Sequence, residues 1–112
     1  MNRKTALALA YALLIVALSS IPGNSYPSAP ILSHDKIIHL IEYAGFALLL
    51  AWSRPATVTL WYVVIIASLF GGADEFYQSW IPGRDSSILD WAADSMGSVV
   101  GVYAFRLWDR LT

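Results

Sequence analysis

Residues 57–80 read TVTLWYVVIIASLFGGADEFYQSW, and this stretch decides the fold. No charged residue occurs in it before Asp74, and its first part is mostly apolar. A helix of about 24 residues is about 36 Å long, which is enough to cross the roughly 30 Å hydrocarbon core of a bilayer with some tilt. Ile81-Pro82-Gly83 ends the helix. The stretch therefore predicts a transmembrane helix that carries Asp74 and Glu75 near one end.

Three further apolar stretches predict spans at 5–21, 35–53 and 88–108. Pro22 and Gly23 end the first span, Arg54-Pro55 ends the second, and Ser33 is the predicted N-cap of the second. Arg3 and Lys4 before the first run also fit a secretory signal. However, the run continues to Ile21 and no Ala-x-Ala site follows it directly, so we predict a span. The predicted fold is an all-α integral membrane bundle of four transmembrane helices, in a single domain over residues 1–112.

The composition agrees with a membrane protein and excludes several classes. Apolar residues make up 57% of the chain and charged residues 13%, with a mean hydropathy of +0.56, whereas an ordinary soluble domain has about 25% charged residues. The net charge of -1 and the lack of a basic cluster argue against nucleic acid as a partner. The chain has no cysteine, so any metal site uses oxygen and histidine ligands.

Two charge and aromatic patterns set the predicted orientation. The five tryptophans fall near predicted helix ends, as in aromatic belts: Trp52, Trp61, Trp80, Trp91 and Trp108. One side of the bundle receives most of the bases, namely Arg3, Lys4, Arg54, Arg106 and Arg110, and the other receives only Lys36 and Arg84. By the positive-inside rule, both termini are predicted to be cytoplasmic.

Nearly all the acids collect at the opposite, extracytoplasmic side. These are seven of the eight acidic residues: Asp35, Glu42, Asp74, Glu75, Asp85, Asp90 and Asp94. At 100° per residue the polar residues form one stripe on each helix. The stripes are Asp35, His39, Glu42 and Tyr43 on the second span, Glu75 and Gln78 on the third, and Asp90 and Asp94 on the fourth. Gly97 and Gly101 continue the last stripe as a Gly-x-x-x-Gly surface for close helix packing.

Ionisable residues inside a membrane usually face protein or water and serve a function. Structural alternatives remain for individual residues: Asp35 suits a helix N-terminus, His39 suits a hydrogen-bonded packing residue, and Asp74 is either solvated or paired with Lys36. Arg84 suits a buried ion pair or a phosphate contact. A divalent cation is a further alternative, and its predicted ligands are Glu75, Asp90, Asp94 and His39.

Three segments together resemble the VanZ-like family of small bacterial membrane proteins. They are Asp35-Lys36-x-x-His39-x-x-x-Tyr43, Glu75-x-x-Gln78-x-x-x-Pro82-Gly83-Arg84 and Asp90-x-x-x-Asp94-x-x-Gly97-x-x-x-Gly101. The family pattern usually has asparagine where this chain has Asp94. The family is named for a member associated with teicoplanin resistance, so the resemblance implies a cell-envelope setting in the bacterial inner membrane rather than a reaction.

Three functions fit the sequence. The favoured one is a non-enzymatic site for the headgroup of an envelope lipid or lipid-linked precursor, with Lys36 and Arg84 meeting phosphate. The second is an enzyme acting on a lipid-linked substrate through His39 or a carboxyl group, although the chain has no Gly-x-Ser-x-Gly elbow, P-loop or His-Glu-x-x-His motif. The third is a small proton-coupled transporter, with a homo-oligomer as an alternative to a single chain.

Overall fold

The computed structural model of the chain describes the backbone of residues 1–22, 32–84 and 86–112, and the side chains of residues 1–22, 36–84 and 86–112. These residues form four α-helices and no strand: α1 Arg3–Ser19, α2 Leu32–Ser53, α3 Leu60–Gln78 and α4 Ile88–Leu111. The all-helical prediction is therefore confirmed. Two predicted residues lie outside this description, because Asp85 is not described at all and only the backbone of Asp35 is.

The helix ends differ from the predicted ones for local reasons. Helix α2 already begins at Leu32, so the prediction that Ser33 is its N-cap was wrong. Helix α3 begins late because Thr59 has extended backbone geometry, with φ −72° and ψ 153°. Helix α4 is capped by the Ser87 side chain, which accepts a hydrogen bond from the Asp90 amide. It continues to Leu111, because no proline or glycine interrupts its last turns.

Helix α2 lies at the centre of the bundle and contacts the other three helices, most extensively α4. Close packing of α2 and α4 depends on two glycines. A Cβ atom added to Gly97 would collide with the carbonyl oxygen of Leu40, and one added to Gly101 would collide with that of Ala44. The Gly-x-x-x-Gly surface therefore faces α2 within the same chain.

The two ends of the bundle differ in chemistry. At the end that contains the α2–α3 turn, the core consists of Ala51, Val63 and Phe105. Basic side chains lie over aromatic rings there: Lys4 is 4.9 Å from the centre of the Trp52 ring, and the Arg54 guanidinium is 5.4 Å from that of Phe105. The opposite end carries the acids described below.

The outer surface of the bundle is apolar along all four helices. Large exposed side chains include Leu13 on α1, Ile41 on α2, Leu69 on α3 and Met96 on α4. In the described part of the chain, two helical segments are long and apolar enough to cross a membrane, Lys36–Ser53 and Leu60–Gln78. Only 22% and 28% of these segments is buried, whereas the core helix of a soluble protein is mostly buried. This distribution is expected for helices whose outer faces contact lipid.

Candidate functional site

The candidate site lies at the end of the bundle where α1 and α3 finish and α2 and α4 begin. Consecutive helices run in opposite directions, so residues early in α2 and α4 meet residues late in α3. His39, Glu75 and Asp94 come together in this way from three helices. The sequence predicted these residues on one face of each of three helices, and in the fold these three faces pack against one another.

His39 is at the centre of this group. Its Nδ1 atom is 2.8 Å from Oδ1 of Asp94 and 3.7 Å from Oε1 of Glu75. Its Nε2 atom is 4.0 Å from Oδ2 of Asp90. Lys36 forms an ion pair with Oδ1 of the same aspartate. We call these five residues, Lys36, His39, Glu75, Asp90 and Asp94, the His39 cluster.

The carboxylates of the His39 cluster are almost completely buried. The exposed fraction is 0% for Asp94, 2% for Asp90 and 7% for Glu75. Three buried carboxyl groups within one cluster repel one another when ionised. Lys36 pairs directly with Asp90. Glu75 and Asp94 converge instead on the single imidazole of His39.

Hydrogen bonds hold Glu75 and Asp94 in place but leave each with an unused oxygen. Oε2 of Glu75 accepts a hydrogen bond from the backbone amide of Ser87 at 3.2 Å. Within the described residues, Oε1 of Glu75 and Oδ2 of Asp94 are buried and have no hydrogen-bond partner. Gly71 leaves space for Asp94, because a Cβ atom on this glycine would lie 3.0 Å from Cβ of Asp94. Such unsatisfied buried oxygens are unusual in folded proteins.

Tyr43 lies one helical turn deeper than His39 and is completely buried. Its ring packs edge-on against Phe46, with 6.0 Å between ring centres, and next to the backbone of Gly71. Its hydroxyl group is a further buried polar atom without a partner in the part of the chain that the structure describes. Tyr43 therefore lies directly beneath the His39 cluster, on the side toward the middle of the bundle.

A second polar group joins α3 to α1. Oδ2 of Asp74 accepts hydrogen bonds from the Ser19 hydroxyl at 2.8 Å and from Nε2 of Gln78 at 3.3 Å. Asp74 is only 5% exposed, so the alternative that it is solvated was wrong. Gln78 was predicted to share a site with Glu75, but its described hydrogen bonds are in this second group. Ser19 was missed, although a serine pair at the end of an otherwise apolar helix was a visible signal.

Arg84 holds the end of α1. Its guanidinium donates hydrogen bonds to the carbonyl oxygens of Leu18 at 2.9 Å and Ile21 at 3.0 Å. It also attracts the Asp74 carboxylate electrostatically. These contacts place Arg84 beside the second polar group, on the α1 side of the bundle, where it satisfies carbonyl groups that the helix end leaves open.

A cleft of about 440 Å³ opens beside Glu75, between α3 and the start of α4. It is mainly apolar and is lined by Gly72, Glu75, Phe76, Ser79, Ser86, Ser87, Ile88 and Trp91. Trp91 is fixed in the wall because its indole NH donates to the Ser68 carbonyl at 2.8 Å. Glu75 belongs both to the cleft lining and to the His39 cluster, so this one residue links the buried polar group to the apolar cleft.

The chain is similar in sequence to a known protein family. A sequence model of the VanZ/LLP1 family matches residues 7–109. The chain belongs to the VanZ/LLP1 family. The match covers nearly the whole chain, from α1 to α4, and confirms the resemblance seen in the three segments. No curated protein and no solved structure matches the chain. Membership in the VanZ/LLP1 family suggests a role related to the cell envelope or to glycopeptide resistance.

The site of this VanZ/LLP1 member offers three kinds of chemistry. Its free carboxylate oxygens accept hydrogen bonds from amines or hydroxyl groups. The pair formed by His39 and Asp94 has the arrangement of an oriented imidazole base. Finally, His39, Glu75 and Asp94 each offer one ligand atom, and these atoms lie within 4.8 Å of one another, which suits a metal ion.

Proposed function

We propose that this VanZ/LLP1 member spans the bacterial inner membrane four times, with both termini in the cytoplasm, and binds the headgroup of an envelope lipid or lipid-linked precursor at its outer end. The proposed ligand is an amphiphile. Its amine or hydroxyl groups contact the His39 cluster, and its apolar part lies in the adjoining cleft.

Four spans are supported by the surface and size of the bundle. Helices α1 and α4 expose large apolar residues as α2 and α3 do. The longest dimension of the chain is 43 Å, which matches a bilayer of about 40–45 Å including headgroups. The proposed orientation rests on the bases at the end opposite the cluster, among them Lys4, Arg54 and Arg106.

The proposal of this ligand rests on one observation, namely that Glu75 belongs both to the His39 cluster and to the lining of the cleft. Its Oε1 atom is buried and unpartnered within the described residues, and its side chain also lines a cleft whose other walls include the exposed apolar residues Phe76 and Ile88. A buried acceptor without a partner leaves an unfavourable desolvation of about 1–3 kcal/mol. A hydroxyl or ammonium group of a bound headgroup removes that penalty, while a hydrocarbon chain covers the apolar wall.

A membrane enzyme acting on a lipid-linked substrate is the second candidate, and the His39–Asp94 hydrogen bond favours it. A buried carboxylate bonded to Nδ1 fixes the imidazole tautomer, which leaves Nε2 able to take a proton from a substrate or a water molecule. Turnover of a defined lipid-linked substrate, abolished by His39→Gln, would replace the binding role with this one. Proton-coupled transport has less support, because the described core of the opposite half is apolar, with Ala51, Val63 and Phe105.

Native mass spectrometry of the protein in mild detergent tests the binding role. Glu75→Gln removes the charge of the shared acceptor, and Phe76→Ala removes part of the apolar wall. Leu13→Ala is the matched control, because Leu13 is 71% exposed on α1 and Phe76 is 69% exposed on α3. We expect a lipid adduct of defined mass that both site variants lose and the control retains.

Adducts of many masses that are equally abundant in all four proteins would show nonspecific lipid and contradict the proposal. Circular dichroism and size-exclusion chromatography on the same samples show whether each variant is folded.

A further inference from the structure

We propose that His39, Glu75 and Asp94 form a binding site for a divalent transition metal ion, with Zn²⁺ as the best-fitting ion. The three residues come from α2, α3 and α4, and their ligand atoms lie within 4.8 Å of one another. Zinc binds imidazole nitrogen and carboxylate oxygen and often uses three protein ligands, which leaves a fourth position open. Calcium and magnesium fit less well, because they favour sites made only of oxygen.

The unsatisfied oxygens are the independent observation that points to an ion. Oε1 of Glu75 and Oδ2 of Asp94 are buried and without a hydrogen-bond partner in the described residues, and Oε1 lies 3.7 Å from Nδ1 of His39. Each of the two side chains is more than nine-tenths buried. An ion between Nδ1 and these carboxylates gives Oε1 of Glu75 a partner and reduces the mutual repulsion of the two carboxylates.

The surroundings of His39 have the arrangement found around metal ligands. A histidine that binds a metal through one ring nitrogen usually donates its other N–H to a carboxylate or carbonyl group. Nδ1 of His39 faces Asp94 and Glu75, while Nε2 lies 4.0 Å from Oδ2 of Asp90, which is within ion-pair distance but beyond that of a hydrogen bond. Lys36 in turn holds Asp90 through its other oxygen. Asp90 is therefore a positioning residue in this proposal and not a ligand.

The orientation of Glu75 suits a metal ligand. The Ser87 amide holds Oε2 and turns Oε1 toward His39. Gly71 allows α3 to approach Asp94 without a side chain between them. Asp94 contributes a second carboxylate beside His39, which adds negative charge to a cation site.

The metal site deepens the proposed function and rests on it for the ligand that completes the coordination. Because Glu75 is shared with the cleft, an ion held by Glu75 lies at the edge of the cleft. Its open coordination position is available to a phosphate or hydroxyl oxygen of a bound headgroup. With the ion bound, a hydroxyl oxygen of the headgroup would contact the ion in place of Oε1 of Glu75.

Zinc binding to the purified protein in detergent, prepared without a histidine tag and stripped with chelator, tests the site. Bound zinc is measured by elemental analysis after desalting, and affinity by calorimetric titration with ZnCl₂. We expect one zinc ion per chain, lost in His39→Gln and Glu75→Gln and retained in Asp109→Asn, which changes an exposed acid at the other end. Asp90→Asn should weaken zinc binding about 10- to 100-fold.

Two results would overturn the site: the absence of stoichiometric zinc, or equal zinc binding by wild type and His39→Gln. Melting curves without zinc identify variants that fail to fold, and His39→Asn is a second variant because its amide nitrogen occupies the position of Nδ1, the ring nitrogen beside Asp94. Lipid retention is measured on the protein as purified, before the chelator removes any ion through which a headgroup is bound. Retained lipid without any zinc binding refutes the metal site alone, whereas zinc binding by protein that retains no lipid supports the metal site and refutes the headgroup role.

Discussion

Nδ1 of His39 lies 2.8 Å from Oδ1 of Asp94, and this aspartate is completely inaccessible to solvent. Replacing Asp94 with alanine leaves the imidazole without its nearest partner and opens space beside Gly71. We expect Asp94→Ala to reduce the free energy of unfolding by about 1–3 kcal/mol. Asp94→Asn keeps a hydrogen-bonding group of the same size, so we expect a smaller loss.

Unfolding by sodium dodecyl sulfate in mixed micelles, followed by circular dichroism, measures both variants. Asp109→Ala, at an exposed position near the C-terminus, serves as the control and should change the free energy by no more than about 0.5 kcal/mol. Equal stability of Asp94→Ala and wild type would show that the His39–Asp94 contact does not stabilise the fold.

The Lys36–Asp90 ion pair is expected to stabilise the start of α4, because Asp90 is buried and also lies in the first turn of that helix. Lys36→Met leaves a buried carboxylate without its ion-pair partner, and we expect a loss of roughly 1–3 kcal/mol. The double variant Lys36→Met/Asp90→Asn should recover part of this loss. A double-mutant cycle in the same micelle assay measures the coupling, and strictly additive losses would contradict a direct interaction.

The fold was largely predictable from the sequence because its signals are local. Apolar runs of sufficient length predict helices, and the breaks at Pro22-Gly23, Arg54-Pro55 and Pro82-Gly83 separate them. The confirmed features are the four helices in the described residues and the VanZ-like family. The extent of α4 was underestimated, because no residue that breaks helices follows Trp108 within the helix.

The arrangement of the site was less predictable, since helical phase gives the face of a residue but not the helix that packs against it. Glu75 and Gln78 are three residues apart and share a side of α3, yet Glu75 contacts α2 and Gln78 contacts α1. Asp74 is buried, and the Ser19 hydroxyl on α1 donates a hydrogen bond to its carboxylate there. Such choices depend on the rotation of each helix, which a single sequence does not encode locally.

Arg84 is expected to keep the end of α1 ordered through two carbonyl oxygens, those of Leu18 and Ile21. Both hydrogen bonds come from one guanidinium nitrogen, Nη1, and Arg84→Lys keeps the charge but replaces this planar group with an ammonium group on a shorter side chain. We expect faster hydrogen exchange in the peptide containing residues 16–22, measured by mass spectrometry in detergent. Arg106→Lys, an exposed base on α4, is the control. Unchanged exchange in Arg84→Lys would mean that the charge alone holds the helix end.

Close approach of α2 and α4 is expected to tolerate no side chain at Gly97 or Gly101. A Cβ atom at either position meets a backbone carbonyl oxygen, which cannot rotate away as a side chain can. We expect Gly97→Ala and Gly101→Ala to lower the free energy of unfolding by about 1–3 kcal/mol, even though alanine is the better helix former by about 1 kcal/mol.

Gly72→Ala provides the matched control for these two variants. Its Cβ atom would lie 3.3 Å from the indole nitrogen of Trp91, so the indole has to shift by a few tenths of an ångström against its hydrogen bond to the Ser68 carbonyl, and no backbone atom has to move. We expect a much smaller loss than at Gly97, or a gain. If all three alanine variants have the same stability in the micelle assay, the Gly-x-x-x-Gly surface is not a tight helix contact.

The proposed topology can be tested by cysteine labelling, since the natural chain contains no cysteine. Single cysteines at Asn2, Ala56 and Ser79 occupy exposed positions before α1, between α2 and α3, and after α3. In intact spheroplasts, a membrane-impermeant maleimide should label Ser79→Cys alone, and the other two variants should react only after permeabilisation.

Four spans require Asn2 and Ala56 to be on the same side, because two helices separate them. Labelling of Asn2→Cys and Ala56→Cys from opposite sides would mean that α1 or α2 does not cross. Labelling of both from outside, with Ser79→Cys protected, would retain four spans but place the His39 cluster on the cytoplasmic side, where an outer-leaflet headgroup cannot reach it.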